Sequence, residues 1–281
     1  VHIKRARTAG FCMGVQRAID IALQTAETAE ADESIYTCGP LIHNPQAVAE
    51  LESKGIRSVK DWRPITEGIL IIRAHGMPIE EIRDMRARGL KVVDATCPHV
   101  VSSQNRIKKA SAAGCFVVIV GDPHHPEILS LQSFAPDNHL VIASLAEVAP
   151  IPTVPKAIVI AQTTFNEKQY EEIATAVSAK IPDCSIIRSI CRATSNRQDE
   201  VEQLADEVDA VVVVGGRDSA NTRRLAEIAE ARGVRTVHIE TADELVPAFF
   251  TGVTTVGITA GASTPSWITR AVIERLESIS V

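Results

Sequence analysis

The chain has 281 residues, a formal net charge of −6, 45% hydrophobic residues and 23% charged ones, which is an ordinary soluble composition with enough length for a sizeable core. The acidic balance, with only 4% aromatics, argues against general nucleic-acid affinity or base stacking. No apolar run approaches the ~20 residues that span a bilayer, and the basic start, Val1 to Ala9, carries no apolar stretch of signal-peptide length.

Taken in order, helical spacing of Val15, Ala18, Ile19, Ala22, Leu23 and Ala26 predicts a helix over 14–29. A short strand is expected at 34–38 and a breaker-rich loop at 39–45. A helix follows that starts at Pro45 and stops near Gly55. Residues 68–74 read as a buried strand, His75-Gly76-Met77-Pro78 as a turn, 78–89 as a helix and 91–94 as a strand leading into Cys97. The middle of the chain repeats this rhythm. A helix is expected at 100–113, strands at 115–121, 140–143 and 157–161, a helix at 167–180 and a strand at 184–188. In the last part Thr194 is expected to cap a helix reaching about 208. Strands follow at 210–214, 234–239 and 254–259, with helices at 222–231 and from Pro265. Strands that are apolar throughout and alternate with helices predict an α/β fold with mainly parallel sheets. Polar turns fall after the strands, where such sheets collect ligands.

Six cysteines are present and no Cys-x-x-Cys. A long chain without a secretion signal predicts reduced thiols and a cytoplasmic address. Cys115 and Cys184 read as small buried hydrophobes, and Cys38 is ambiguous. Cys12, Cys97 and Cys191 differ, because each lies at a break ahead of a probable helix, a position that favours the thiolate a metal needs. They divide the chain into three comparable stretches, expected as domains over 1–97, 98–190 and 191–281. Three soft thiolates suit either zinc or an iron–sulfur cluster and leave one metal position open.

His43, His75 and His125 sit in comparable turns beside Gly or Pro. With no acidic cluster nearby they read as donors to an anion rather than as metal ligands. Glu127, two residues after His125, is either a helix-start carboxylate or a proton donor. Ser219, Asn221 and Ser263 precede helices near Gly215, Gly216 and Gly261. They are either caps or phosphate ligands. The glycines match neither the Rossmann nor the P-loop pattern.

Together these stretches resemble the IspH/LytB family of 4-hydroxy-3-methylbut-2-enyl diphosphate reductases over nearly the whole chain. The matching segments are Gly10-Phe-Cys12-Met-Gly14-Val, Ala74-His75-Gly76, Asp94-Ala-Thr-Cys97-Pro98, His125-Pro126-Glu127 and Gln162-Thr163-Thr164. Cys191 with Thr194 and Asn196-Arg197-Gln198, Ser219-x-Asn221 and Gly261-Ala262-Ser263 complete the set. The resemblance implies a trefoil of three α/β domains around a central [4Fe–4S] cluster held by Cys12, Cys97 and Cys191, with one iron lacking a protein ligand. It implies diphosphate binding by His43, His75, His125, Ser219, Asn221 and Ser263. Glu127 would be the acid of a proton relay, with His125 and Thr163 beside it. The implied reaction takes two electrons and two protons, expels the allylic hydroxyl as water and yields isopentenyl and dimethylallyl diphosphate. No flavin or nicotinamide motif is present, so an external carrier of the ferredoxin or flavodoxin type would supply electrons. The chain departs from the family pattern at Ala220, where a second serine is usual, at Ile128-Leu129-Ser130-Leu131 after the His-Pro-Glu, and at Met13 and Arg192. Two rival readings remain at this point: a non-catalytic iron–sulfur sensor or binding protein of the same fold, and a zinc-dependent lyase or hydrolase on the same three cysteines.

Overall fold

The structure is a computed structural model that describes residues 1–279; Ser280 and Val281, the end of the segment expected over 191–281, lie outside the described residues. In chain order its elements are β1 (His2–Arg5), α1 (Met13–Thr28), β2 (Ile35–Cys38), α2 (Pro45–Ser53), β3 (Ile56–Val59), β4 (Ile69–Ile72) and α3 (Ile79–Ala87). Then come β5 (Lys91–Asp94), α4 (Pro98–Ala112), β6 (Phe116–Val120), α5 (Pro126–Gln132), β7 (His139–Ile142), β8 (Lys156–Ala161), α6 (Glu167–Lys180) and β9 (Asp183–Ile187). The rest is α7 (Arg192–Ala205), β10 (Ala210–Val214), α8 (Ala220–Ala231), β11 (Arg235–Ile239), β12 (Thr255–Ala260) and α9 (Ser266–Ser278). The expected α/β class with parallel sheets is what the strands form: three four-stranded sheets in which every pairing is parallel.

Two compact units emerge. The first contains Val1–Gln16, Ile42–Glu50 and the chain from Arg192 onward. Its sheet has the order β1-β12-β10-β11. In β10, Ala210, Val212 and Val214 face one core with Leu245, Phe250, Ile268 and Val272. Val211 and Val213 face the other, with Val201, Leu225 and Ala229 of α7 and α8. Strand residues alternate sides, so a strand covered on both faces must be apolar at every position.

The second unit contains Arg17–Leu41 and Leu51–Cys191 and carries two sheets, β3-β2-β4-β5 and β7-β6-β8-β9. The same alternation holds there. Val118, Val120, Val159 and Ala161 pack with Tyr170, Ile173 and Val177 of α6. Val117, Ile119, Ile158 and Ile160 pack with Ile107, Ile128 and Leu131 of α4 and α5. Tyr170 adds a polar tie, its hydroxyl donating to the carbonyls of Val159 at 2.9 Å and Ile187 at 2.7 Å.

Three features depart from the sequence reading. β1 and β3 are strands that it did not assign. Helix α7 starts at Arg192, so Thr194 is not its cap but a buried residue of the first turn. Cys115 is buried as expected, whereas Cys184 is only half-buried. None of the six cysteines forms a disulfide.

Candidate active site

In the first unit the chemistry gathers at the carboxyl ends of β10 and β12. Ser219 caps α8, its hydroxyl accepting from the Thr222 N–H at 3.3 Å. Ser263 donates to the His43 carbonyl at 3.1 Å and lies 3.4 Å from the Ser219 hydroxyl. Asn221 is 4% exposed, yet neither its amide nitrogen nor its amide oxygen has a hydrogen-bond partner. Buried amides are rarely left so, and a ligand able to accept and donate there would satisfy both. A helix start, two hydroxyls and an unsatisfied amide form the donor set that phosphate oxygens use. His43, Ser219, Asn221 and Ser263 are thus grouped within one unit.

Cys12 joins the same edge. Its N–H donates to the Ala262 carbonyl at 3.0 Å, and its sulfur accepts the Val15 N–H at 3.4 Å. Arg197, 4% exposed, fixes the preceding turn by donating to the Gly10 carbonyl at 2.7 Å and anchors to its own helix through the Ala193 carbonyl at 2.8 Å. Arg197 entered the sequence reading only inside a motif; this bracing role carries no local signal.

In the second unit, Cys97 is the residue before α4, with Pro98 opening the helix. Its N–H reaches the carbonyl of Ala74 at 2.9 Å, placing it beside His75. Arg17 donates to the Thr96 carbonyl at 3.2 Å, and Asp94 accepts the Thr96 N–H at 2.9 Å, so the approach to Cys97 is held from both sides. Cys191 donates its N–H to the Thr163 carbonyl at 3.1 Å.

Thr163 is the centre of this group. Its N–H donates to Glu127 at 2.6 Å and its hydroxyl to the other carboxyl oxygen at 2.7 Å. Glu127 is 1% exposed. Burial pushes its carboxyl up from 4.5 to about 7, against the two Thr163 bonds, which pull it down. A carboxyl that titrates near neutrality can give and regain a proton at working pH. Close approach of the two loops depends on Gly121, where a β-carbon would come within 2.6 Å of Ile128 and 2.9 Å of Gln162.

His125 caps the helix carrying Glu127, its Nδ1 accepting the Glu127 N–H at 3.1 Å. That bond puts any proton of a neutral ring on Nε2, which becomes the donor. The His75 ring meets His125 edge to face, centroids 5.4 Å apart. His75, Cys97, His125, Glu127, Thr163 and Cys191 therefore all belong to the second unit, and Gln104, Ser130 and Ser133, which sequence reasoning did not assign to the site, pack behind them.

The family model described as LytB protein matches residues 3–277. This chain belongs to the LytB protein family. LytB relatives named 4-hydroxy-3-methylbut-2-enyl diphosphate reductase include one from Pelobacter propionicus, 44% identical over 98% of this chain and 97% of its own length. Another, from Geobacter sulfurreducens, is 44% identical over 99% and 97%. Among solved structures, the Plasmodium falciparum E-1-hydroxy-2-methyl-but-2-enyl-4-diphosphate reductase aligns with a TM-score of 0.93 at 25% identity, covering 99% of this chain and 88% of that one. A second, described as (E)-4-hydroxy-3-methyl-but-2-enyl diphosphate reductase, the terminal enzyme of the non-mevalonate pathway, aligns at 39% identity with a TM-score of 0.72 over 99% and 100%. The resemblance read from the cysteine and histidine motifs is borne out over almost the full length. Among the described residues no helix is long and apolar enough to cross a membrane.

Proposed function

We propose a division of labour among these residues in the LytB reaction. The chain acts as a 4-hydroxy-3-methylbut-2-enyl diphosphate reductase, at the end of the non-mevalonate route to isoprenoids. The observation that carries the residue roles is the buried Glu127–Thr163 pair, an acid lifted to about 7 and held by two donors.

Glu127 is the proton donor toward the departing allylic oxygen or the allyl carbon. Thr163 holds it in place and stabilises its ionised form once the proton has left. His125, with Nε2 as its donor, and His75 bind the diphosphate. His43, Ser219, Asn221 and Ser263 bind it as well, and the Asn221 NH2 group gains the acceptor it lacks. Anchoring the diphosphate fixes the reacting carbon and removes rotational freedom from the step. Ala220 supplies no hydroxyl at its helix start, so the neighbouring Ser219 and Asn221 carry that end alone.

Cys12, Cys97 and Cys191 are the ligands of a [4Fe–4S] cluster. Support comes from their chemistry: three thiols outside any disulfide, each half-buried and just before a helix, with an N–H aimed at the Cys12 sulfur. When bound, the cluster supplies the electrons and a Lewis-acidic iron for the hydroxyl. A protein carrier of the ferredoxin or flavodoxin type delivers electrons from outside. Reduced thiols suit a cytoplasmic address. The three sheets, with strands within 35–94, 116–187 and 210–260, support three domains near 1–97, 98–190 and 191–281, with β1 contributed to the third.

The test is anaerobic purification, iron and sulfide analysis, and turnover of the hydroxylated diphosphate with a reduced carrier. Formation of both isoprenoid diphosphates by an iron- and sulfide-containing protein is the expected result. An intact cluster without product would favour a sensor, and zinc without sulfide would remove the cluster.

A further inference from the structure

Helix α3 opens in an unusual way. The residue before it is Pro78, whose side chain makes no cap, so the first N–H groups of the helix need partners from elsewhere. The Ile79 N–H finds one on another helix: the Ser133 hydroxyl at the end of α5, 3.0 Å away. Ser133 in turn donates to the Ser130 carbonyl at 2.7 Å. Ser130, fully buried, donates to the carbonyl of Met77 at 3.0 Å and accepts from the Gln104 amide of α4 at 2.9 Å. Both polar sides of the turn after His75 are therefore bonded to one helix, the helix whose N-terminal end carries His125 and Glu127.

Gly76 lets the turn lie flush against these groups. Its φ is +78°, and a β-carbon there would come within 2.8 Å of both the Gln104 amide nitrogen and the Ser130 hydroxyl. Apolar packing alone would allow the turn to slide along α5. Hydrogen bonds at Met77 and Ile79 fix its register, because each has a narrow range of distance and angle. His75 leaves this turn one residue before Gly76, and its ring meets that of His125 at 5.4 Å.

We propose that Ser130 and Ser133, with Gln104 behind Ser130, are positioning residues that set His75 against His125 and so preshape these two residues' part of the diphosphate site. This rests on the reading of His75 as a diphosphate ligand. No hydrogen bond joins any of the three side chains to Glu127 or Thr163, so they set binding and leave the proton transfer alone.

Ser130→Ala, Ser133→Ala and His75→Ala would be compared in the cluster-loaded enzyme by steady-state kinetics and by calorimetric titration with inorganic diphosphate. Each serine variant is expected to raise KM, and the Kd for inorganic diphosphate, about five-fold, close to 1 kcal/mol. Their kcat should stay within about two-fold and the pH profile should not move. Ser133, only half-buried, keeps the test open should Ser130→Ala fold poorly. Lowered Tm with unchanged KM and Kd in both serine variants, while His75→Ala raises both constants, would overturn the positioning role alone. Unchanged constants in His75→Ala would overturn the diphosphate reading and the proposal with it.

Discussion

The Glu127–Thr163 pair allows a quantitative test through Thr163→Val, which removes the hydroxyl and keeps both the shape and the backbone N–H. In the parent, burial lifts the carboxyl to about 7 while two Thr163 bonds oppose the rise. Losing the 2.7 Å hydroxyl bond removes stabilisation from the carboxylate only. A hydrogen bond to a charged group is worth about 1.5–3 kcal/mol, and about 1.4 kcal/mol corresponds to one pH unit. The carboxyl should therefore titrate about one to two pH units higher than in the parent. Infrared spectra across pH, differenced against Glu127→Gln, should show the protonated-carboxyl band persisting further into alkaline solution. A proton donor works only while protonated, so the alkaline limb of kcat should move up by the same amount. A midpoint that stays put or moves down would mean that Thr163 does not hold the ionised form.

Glu127→Gln should leave KM within about three-fold and lower kcat by at least ~100-fold, the usual contribution of a general acid; a parental kcat would remove Glu127 from that role. The same variant should change how stability depends on pH. The folded carboxyl keeps its proton up to about 7 and the unfolded one loses it near 4.5. The folded state thus binds more protons between those values, and the parent loses roughly 3 kcal/mol as pH rises through that window. Urea unfolding at several pH values should show that slope in the parent and a flatter one in the variant. Cys97→Ser should lower iron and sulfide content together with activity, because a hydroxyl is a poor ligand for a soft metal site; a full iron complement would contradict the assignment. Gly261→Ala would place a β-carbon 1.9 Å from the Thr222 hydroxyl oxygen and 3.0 Å from its Cβ. Overpacking of this kind costs about 3 kcal/mol or more, read as a Tm lower by roughly 5–10 °C.

The apolar strands were the most legible part of the fold. Residues 210–214 and 91–94 and the helix over 167–180 match the structure residue for residue, because a run of four valines, or a helix of several turns, leaves a long trace, and the short 91–94 keeps an adjacent valine pair. β1 and β3 escaped because, unlike β5, these four-residue edge strands of mixed burial hold no two adjacent apolar residues. With one side unpaired they do not need the apolar run that marks β10. The seven residues of α5 are too few to show a helical period, so only its His-Pro-Glu start was visible. Thr194 looked like a cap because threonine favours that position, but the helix starts two residues earlier and buries it.

Within the site, the cysteines, turn histidines and Glu127 stood out by residue type and by their place after strands. Gln104 and Ser130 did not, since a polar residue on the buried side of a helix looks like any surface position until its partner is known. The lifted pKa of Glu127 was equally invisible, because it comes from the walls around the carboxyl and not from neighbours in the chain.

The pairing of β1 with β12 bears on how the molecule is made. β1 is made before every other strand described and its neighbour β12 after all of them, whereas every strand of the other two sheets has been made by Ile187. A nascent chain can therefore fold two sheets while the opening strand, and Cys12 behind it, still lack their docking edge. In the proposed cluster site Cys12 would then be the last of the three ligands to be held in place, and a chain halted before Thr255 should be largely folded yet unable to retain the cluster.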